Sequence, residues 1–183
     1  MLRISRSFVR EWAGEYDHRC DPASRAEEQA LKAWLRGQQE PKYLDKGHFI
    51  RLARWTAPRQ LEAYRSNNPT FVRQATRLAY QATLPRLKVH ILSGLDGVSV
   101  TVAATILHFF HPRLFPIFDV HARTTLKKAG LWKRRIDDAG IDAWDDYVGV
   151  MRSLARRFRV SLRDLDKALY AYDRWRPRRG GRR

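Results

Sequence analysis

Apolar side chains recur at three- and four-residue intervals along almost the whole chain, and the alternation that marks a half-buried strand is missing. That periodicity restricts the fold to an all-α one. The clearest run is Trp144, Tyr147, Val148, Met151, Leu154, Ala155 and Phe158, a continuous stripe down one helix face. The last helix is expected to open at Ser161, with Asp164 three residues on, and to bury Leu162, Leu165, Leu169 and Tyr172. Nearer the N-terminus, Ser24 to Glu27 reads as a capping box ahead of Ala30, Leu31, Trp34 and Leu35. Asp45 is expected to cap a helix that stops before Pro58. Asn68 and Pro69 open another, with Phe71, Ala75, Leu78, Ala79 and Ala82 on one stripe. A chain of 183 residues can bury a sizeable core. We expect one helical domain over residues 1–173, built as two lobes, and a basic, flexible tail over residues 174–183.

Charge narrows the partner. Thirty-six Lys and Arg oppose 19 acids, a formal net charge of +17, and only six of the positives lie in the last ten residues. A basic body points to a polyanion, most often nucleic acid. No apolar run approaches the roughly 18 residues that span a bilayer, so no membrane partner is expected. The start, MLRISRSFVREW, lacks a secretory apolar region. Its Arg and Ser richness is that of a mitochondrial presequence, but Glu11 and Glu15 interrupt it. A single cysteine, Cys20, excludes an internal disulfide and any four-thiolate metal or iron–sulfur site within one chain. We expect a cytoplasmic monomer.

The centre of the chain holds two helices joined by a short turn, a hairpin over residues 87–111 whose turn contains Gly94 and Gly97. Glycine tolerates positive φ and lets another backbone come close. Val102, Ala103, Ile106, Leu107 and Phe110 are expected to face inward. The free N–H groups at the start of the second helix form a seat for a phosphate. Beyond the hairpin comes LFPIFDVHA, residues 114–122, where a lone carboxylate, Asp119, follows large apolar side chains and precedes a new helix. An acid there is an ordinary helix cap, a reactive group, or both.

Together these two features resemble the helix-hairpin-helix DNA glycosylase superfamily, the group that includes endonuclease III-like and adenine-excising repair enzymes. Its signature is a Leu-x-Gly-Val-Gly hairpin, an Ala-bearing helix, and a short apolar segment ending in Asp-x-His or Asp-x-Asn. Leu95, Gly97, Val98, Ala103, Asp119 and His121 match it, within residues 84 to 130. The resemblance implies a fold of two helical lobes, double-stranded DNA as partner, and excision of a damaged or mispaired base. It implies DNA contact through Gly94, Leu95, Gly97, Val98 and Ser99, and makes Asp119 the catalytic carboxylate. The chain departs from the pattern at two places. Ser99 replaces the second hairpin glycine, and Thr101 stands where bifunctional members carry a lysine that forms an imine with the sugar. A hydroxyl forms no imine, so a monofunctional glycosylase without lyase activity is implied, or a catalytically silent nucleic-acid-binding relative. No cofactor is implied, a monovalent cation at the hairpin being the one allowance.

The chemistry gives Asp119 a reason. Breaking an N-glycosidic bond develops positive charge on the sugar, which a carboxylate stabilises while it orients or deprotonates a water. Leu114, Phe115, Pro116, Ile117 and Phe118 would supply dry surroundings that strengthen its field. Lys88, Arg123, Lys127 and Lys128 are candidates for phosphate contact, and Thr101 and His121 for the pocket wall. Phe115, Phe118, Tyr43 and Trp132 are the aromatic candidates for an extruded base. His108 and His111 lie about one turn apart, but their spacing with Asp119 and His121 matches no metal motif.

Overall fold

The computed structural model describes residues 2–176. Within them the chain forms ten α-helices and no strand, as the periodicity requires. In order they are α1 (Arg6–Arg19), α2 (Pro22–Arg36), α3 (Lys46–Thr56), α4 (Leu61–Ser66), α5 (Pro69–Gln81), α6 (Pro85–Ser93), α7 (Val100–Phe110), α8 (Val120–Lys128), α9 (Ile141–Phe158) and α10 (Leu162–Trp175).

The helix α7 is the centre. Every residue from Val102 to Phe110 is buried, because α2, α3, α6 and α9 all pack against it. A helix apolar on all sides is stable only when enclosed in this way. The first and last helices pack along each other, and α8 packs on α10. The N-terminal segment, read from sequence for its presequence-like composition, is therefore a structural helix. Ser5 caps it by accepting from the Phe8 N–H at 3.2 Å, and Phe8, Val9, Ala13 and Tyr16 are buried.

Most helix starts follow the expected caps. Asp45 accepts from His48 N–H, Asn68 from Thr70 and Phe71, and Ser161 from Asp164. Three expectations are corrected. The second helix begins at Pro22 with Asp21 as its cap, and Ser24 donates its N–H to Asp21 at 2.9 Å. Pro at the first helical position after an acid is the stronger start signal, which leaves Glu27 free for a two-pronged ion pair with Arg51. In α5 the buried face is Val72, Ala75, Thr76 and Ala79, while Phe71 and Leu78 are exposed. Thr76 takes a core position because its hydroxyl bonds the backbone of Leu44 and Val72. Finally, α10 runs through Arg174 to Trp175, past the expected start of the tail; residues 177–183 of that tail lie outside the described residues.

Candidate active site

The helices α6 and α7 flank the turn 94–99. Gly97 sits at φ +80, and a Cβ there would lie 2.9 Å from Ala63 Cβ and from the Tyr64 ring. Both reasons for a glycine apply at this one position. Ser99 has φ −76 and ψ 170, an extended conformation open to any residue, and its hydroxyl caps α7 by accepting from Val102 N–H. The serine in place of glycine therefore costs the turn nothing. Leu95 and Val98 are buried and anchor the turn in the core, whereas Gly94 and Ser99 are exposed. Among the described residues no acceptor meets the N–H groups of Gly97, Ser99, Val100 or Thr101. They lie where the sequence suggested a seat for an anion.

A clamp absent from the sequence reading holds this turn. Asn67, 3% exposed, accepts the Asp96 N–H at 2.8 Å and donates to the Asp96 carbonyl at 3.0 Å and to Ala63 at 2.9 Å. One side-chain amide thus pins the turn to the junction of α4 and α5. No local pattern distinguishes such an Asn from a loop residue.

Asp119 is both a cap and a cleft residue. Its Oδ1 accepts from His121 N–H at 2.7 Å and Ala122 N–H at 3.0 Å, starting α8. The same side chain lines a cleft of about 550 Å³. Thr101, from the first turn of α7, lines it too, as do Ile117, Phe118 and His121. The remaining wall comes from distant segments. Tyr16 and Cys20 lie at the end of α1, Trp55 and Thr56 at the end of α3, and Arg163, Asp166, Tyr170, Arg174 and Trp175 along α10. No lysine is among the described residues that line it.

The structure sorts the remaining predicted residues. Phe118 is in the cleft; Phe115 and Trp132 are core, and Tyr43 lines a separate groove under Arg73. Lys88 is not a surface cation. It is 6% exposed, and its ammonium donates to the carbonyls of Ala79 (2.9 Å) and Tyr80 (2.7 Å), closing the C-terminal end of α5. Burial pushes its pKa down. Arg123 is 4% exposed, lies over the Phe118 ring and donates to the Asp138 carbonyl at 2.5 Å. These two are therefore structural rather than phosphate contacts. Lys127 donates to the Arg134 carbonyl, and Lys128 pairs with Asp173. His121 has its Nδ1 2.9 Å from Asp173, and so ties α8 to α10. His108 is buried with Nδ1 2.8 Å from the Phe115 carbonyl, and burial lowers its pKa to about 4. It is a neutral strut behind the segment leading to Asp119. Among the described residues no group of three His, Cys, Asp or Glu side chains is placed to hold a metal ion.

The residues that sequence reading missed form a buried ion cluster behind the cleft. Arg163 gives Nε and one terminal nitrogen to Glu28 (2.9 and 2.6 Å) and the other to Asp166 (2.5 Å), and reaches the Tyr16 hydroxyl at 3.2 Å. Burial opposes the charge on Glu28, but its bonds to Arg163 and Lys32 outweigh that and hold it down at about 2. Asp166 goes the other way. Burial raises it, Arg163 lowers it only in part, and the Asp119 charge raises it further, to about 7. A signal existed for both acids: each stands on the apolar face of its helix, Glu28 before Leu31 and Leu35, Asp166 between Leu162 and Leu169.

Comparison with protein-family models, with curated proteins and with solved structures gives no match for this chain.

Proposed function

We propose that the chain is a monofunctional DNA glycosylase that extrudes a damaged or mispaired base from a duplex and hydrolyses its glycosidic bond. One observation carries the reading: the Asp119 carboxylate, fixed by two backbone N–H groups, lines the same cleft as Thr101, in the first turn of the hairpin's second helix. A phosphate seated on the hairpin amides would bring a nucleotide beside that carboxylate. Phe118, Trp55, Tyr170 and Trp175 line the cleft, the aromatic surroundings an extruded base requires. In this reading the hairpin stands on one side of the cleft and the α1–α10 pair on the other. Asp119 faces the positive charge that grows on the sugar and orients the attacking water. A cleft without lysine favours hydrolysis over imine chemistry.

The test is a panel of lesion-bearing duplexes scored after hot alkali. The wild type is expected to leave alkali-sensitive abasic sites, Asp119→Asn to lose about 10²-fold or more of that rate with duplex affinity retained, and borohydride to trap no covalent complex. Duplex binding with no abasic product from either protein would make it a silent nucleic-acid-binding module instead.

A further inference from the structure

A pocket of about 450 Å³ opens between the end of α9, the start of α10 and the turn after α7, and it shares no lining residue with the cleft. Its charges are of one sign. Arg113 comes from the turn, Arg152 and Arg156 from α9, and no acid is among the described residues that line it. The acids of the adjoining helices are engaged elsewhere. Asp142 and Asp145 pair with Arg86, Asp146 with Arg134, Asp166 with Arg163 and Asp173 with Lys128. Asp164 accepts from the Ser161 hydroxyl at 2.8 Å. Arg152 is fixed at two points. Its Nε donates to the Leu114 carbonyl at 2.6 Å, and its guanidinium lies 5.3 Å from the centre of the Phe115 ring. Its two terminal nitrogens have no hydrogen-bond partner among the described residues. Leu114 is held in turn, because the His111 carbonyl accepts the N–H groups of Leu114 and Phe115 at 2.8 and 3.1 Å. Burial and the charge of Arg156 lower the Arg152 pKa, and Asp145 offsets this only in part. Ser161 and Leu162 add the positive end of the α10 dipole. Like charges gathered in one concavity repel, and an anion that enters relieves them.

We propose that this pocket binds a phosphomonoester, its phosphate among Arg113, Arg152 and Arg156 and its organic part against Leu114, Val160 and Leu162. Charge favours a monoester over the diester of a nucleic-acid backbone. Three cations and a helix N-terminus match a terminal phosphate, which carries about −1.5 to −2 at pH 7, better than a single negative charge. Guanidinium forks also suit its three acceptor oxygens. Shape agrees with charge. A duplex backbone tracks an open surface, whereas this pocket has apolar walls and a volume within the roughly 300–1,000 Å³ of small-ligand sites. Two sources supply the same chemistry: a free mononucleotide, or the 5′-phosphate at the end of a strand. Neither Asp119 nor the hairpin turn contributes to the pocket, so it stands or falls apart from the glycosylase reading.

The experiment measures binding to the full chain, at a salt concentration that suppresses non-specific duplex binding. The probes come in pairs: each deoxynucleoside 5′-monophosphate beside its nucleoside, and a short duplex with a 5′-phosphate beside the same duplex with a 5′-hydroxyl. The wild type is expected to prefer the phosphorylated member of at least one pair by about 100-fold, and Arg113→Gln and Arg156→Gln each to cut that preference about tenfold. Both arginines are exposed, so the melting temperature should hold. A preference among the mononucleotides identifies a free ligand, and one confined to the duplexes identifies a strand end; either supports the assignment. Preference in no pair, or a preference that survives both substitutions, would overturn it. Substitutions that weaken the phosphorylated and hydroxyl duplexes equally would reveal a contact to backbone diesters and overturn it as well. Excision plays no part in the readout, so a protein that cuts no lesion can still give the expected result.

Discussion

The two sides of the cleft are built on different principles. The hairpin side, from Ser93 to Asp119, is assembled largely from neighbours in sequence: a glycine turn, a capped helix and an apolar connector, with local hydrogen bonds at Ser99 and His108 and one longer-range clamp from Asn67. The terminal side joins residues about 150 positions apart, Tyr16 and Glu28 meeting Arg163 and Asp166 through one buried guanidinium. A motif at fixed spacing reports the first kind of construction and is blind to the second. The difference also predicts how each side fails, by local strain on one and by uncompensated charge on the other.

The largest effect should come from the terminal side. Arg163→Ala leaves Glu28 and Asp166 buried without their common partner, and removing one member of a buried ionic cluster typically costs about 3–5 kcal/mol. Chemical denaturation should show that loss; a change below 1 kcal/mol would mean the charges are solvated. Gly97→Ala tests the hairpin side. The new methyl meets Ala63 and Tyr64 at a positive φ, and we expect a loss of about 2 kcal/mol together with weaker duplex binding. If binding falls while the melt is unchanged, the turn has moved without strain.

The pH dependence separates the two buried acids. Glu28, held at about 2 against an ordinary 4.5, stabilises the fold above pH 4.5, and that stabilisation is lost as pH falls towards 2. Asp166, raised from 3.8 to about 7, keeps a proton that the unfolded chain releases, so stability should decline as pH rises from about 4 to 7. Melting curves of the wild type and Asp166→Asn should therefore diverge across that window and run parallel above it. The smallest effect is expected at Arg174, an exposed cation on the cleft with no carboxylate partner among the described residues. Arg174→Ala should lower duplex affinity modestly and reduce the log–log salt slope by about one, with little change in melting temperature.

What was legible follows the same division. Helical class, most caps, the hairpin and the position of Asp119 at a helix start all arise from interactions within a few residues, so pattern carries them. The cations were misread because charge alone does not say whether a side chain reaches water. Lys88 and Arg123 have stems long enough to spend their charge on backbone carbonyls instead. The exposed Phe71 and Leu78 were misread for a related reason: in α5 a threonine outcompetes them for the core by bonding Leu44 across the interface. The aromatic wall of Trp55, Tyr170 and Trp175 depends on how α3 and α10 pack, which periodicity does not encode.

Because α7 is enclosed along nine consecutive residues, from Val102 to Phe110, its first turn has little freedom to drift. A substitution large enough to re-aim Thr101 would disturb the whole interior. If the cleft takes a base as proposed, a change in which base it takes would therefore accumulate on the opposite bank, along the half-buried face of α10, where a side chain can be exchanged without repacking the centre.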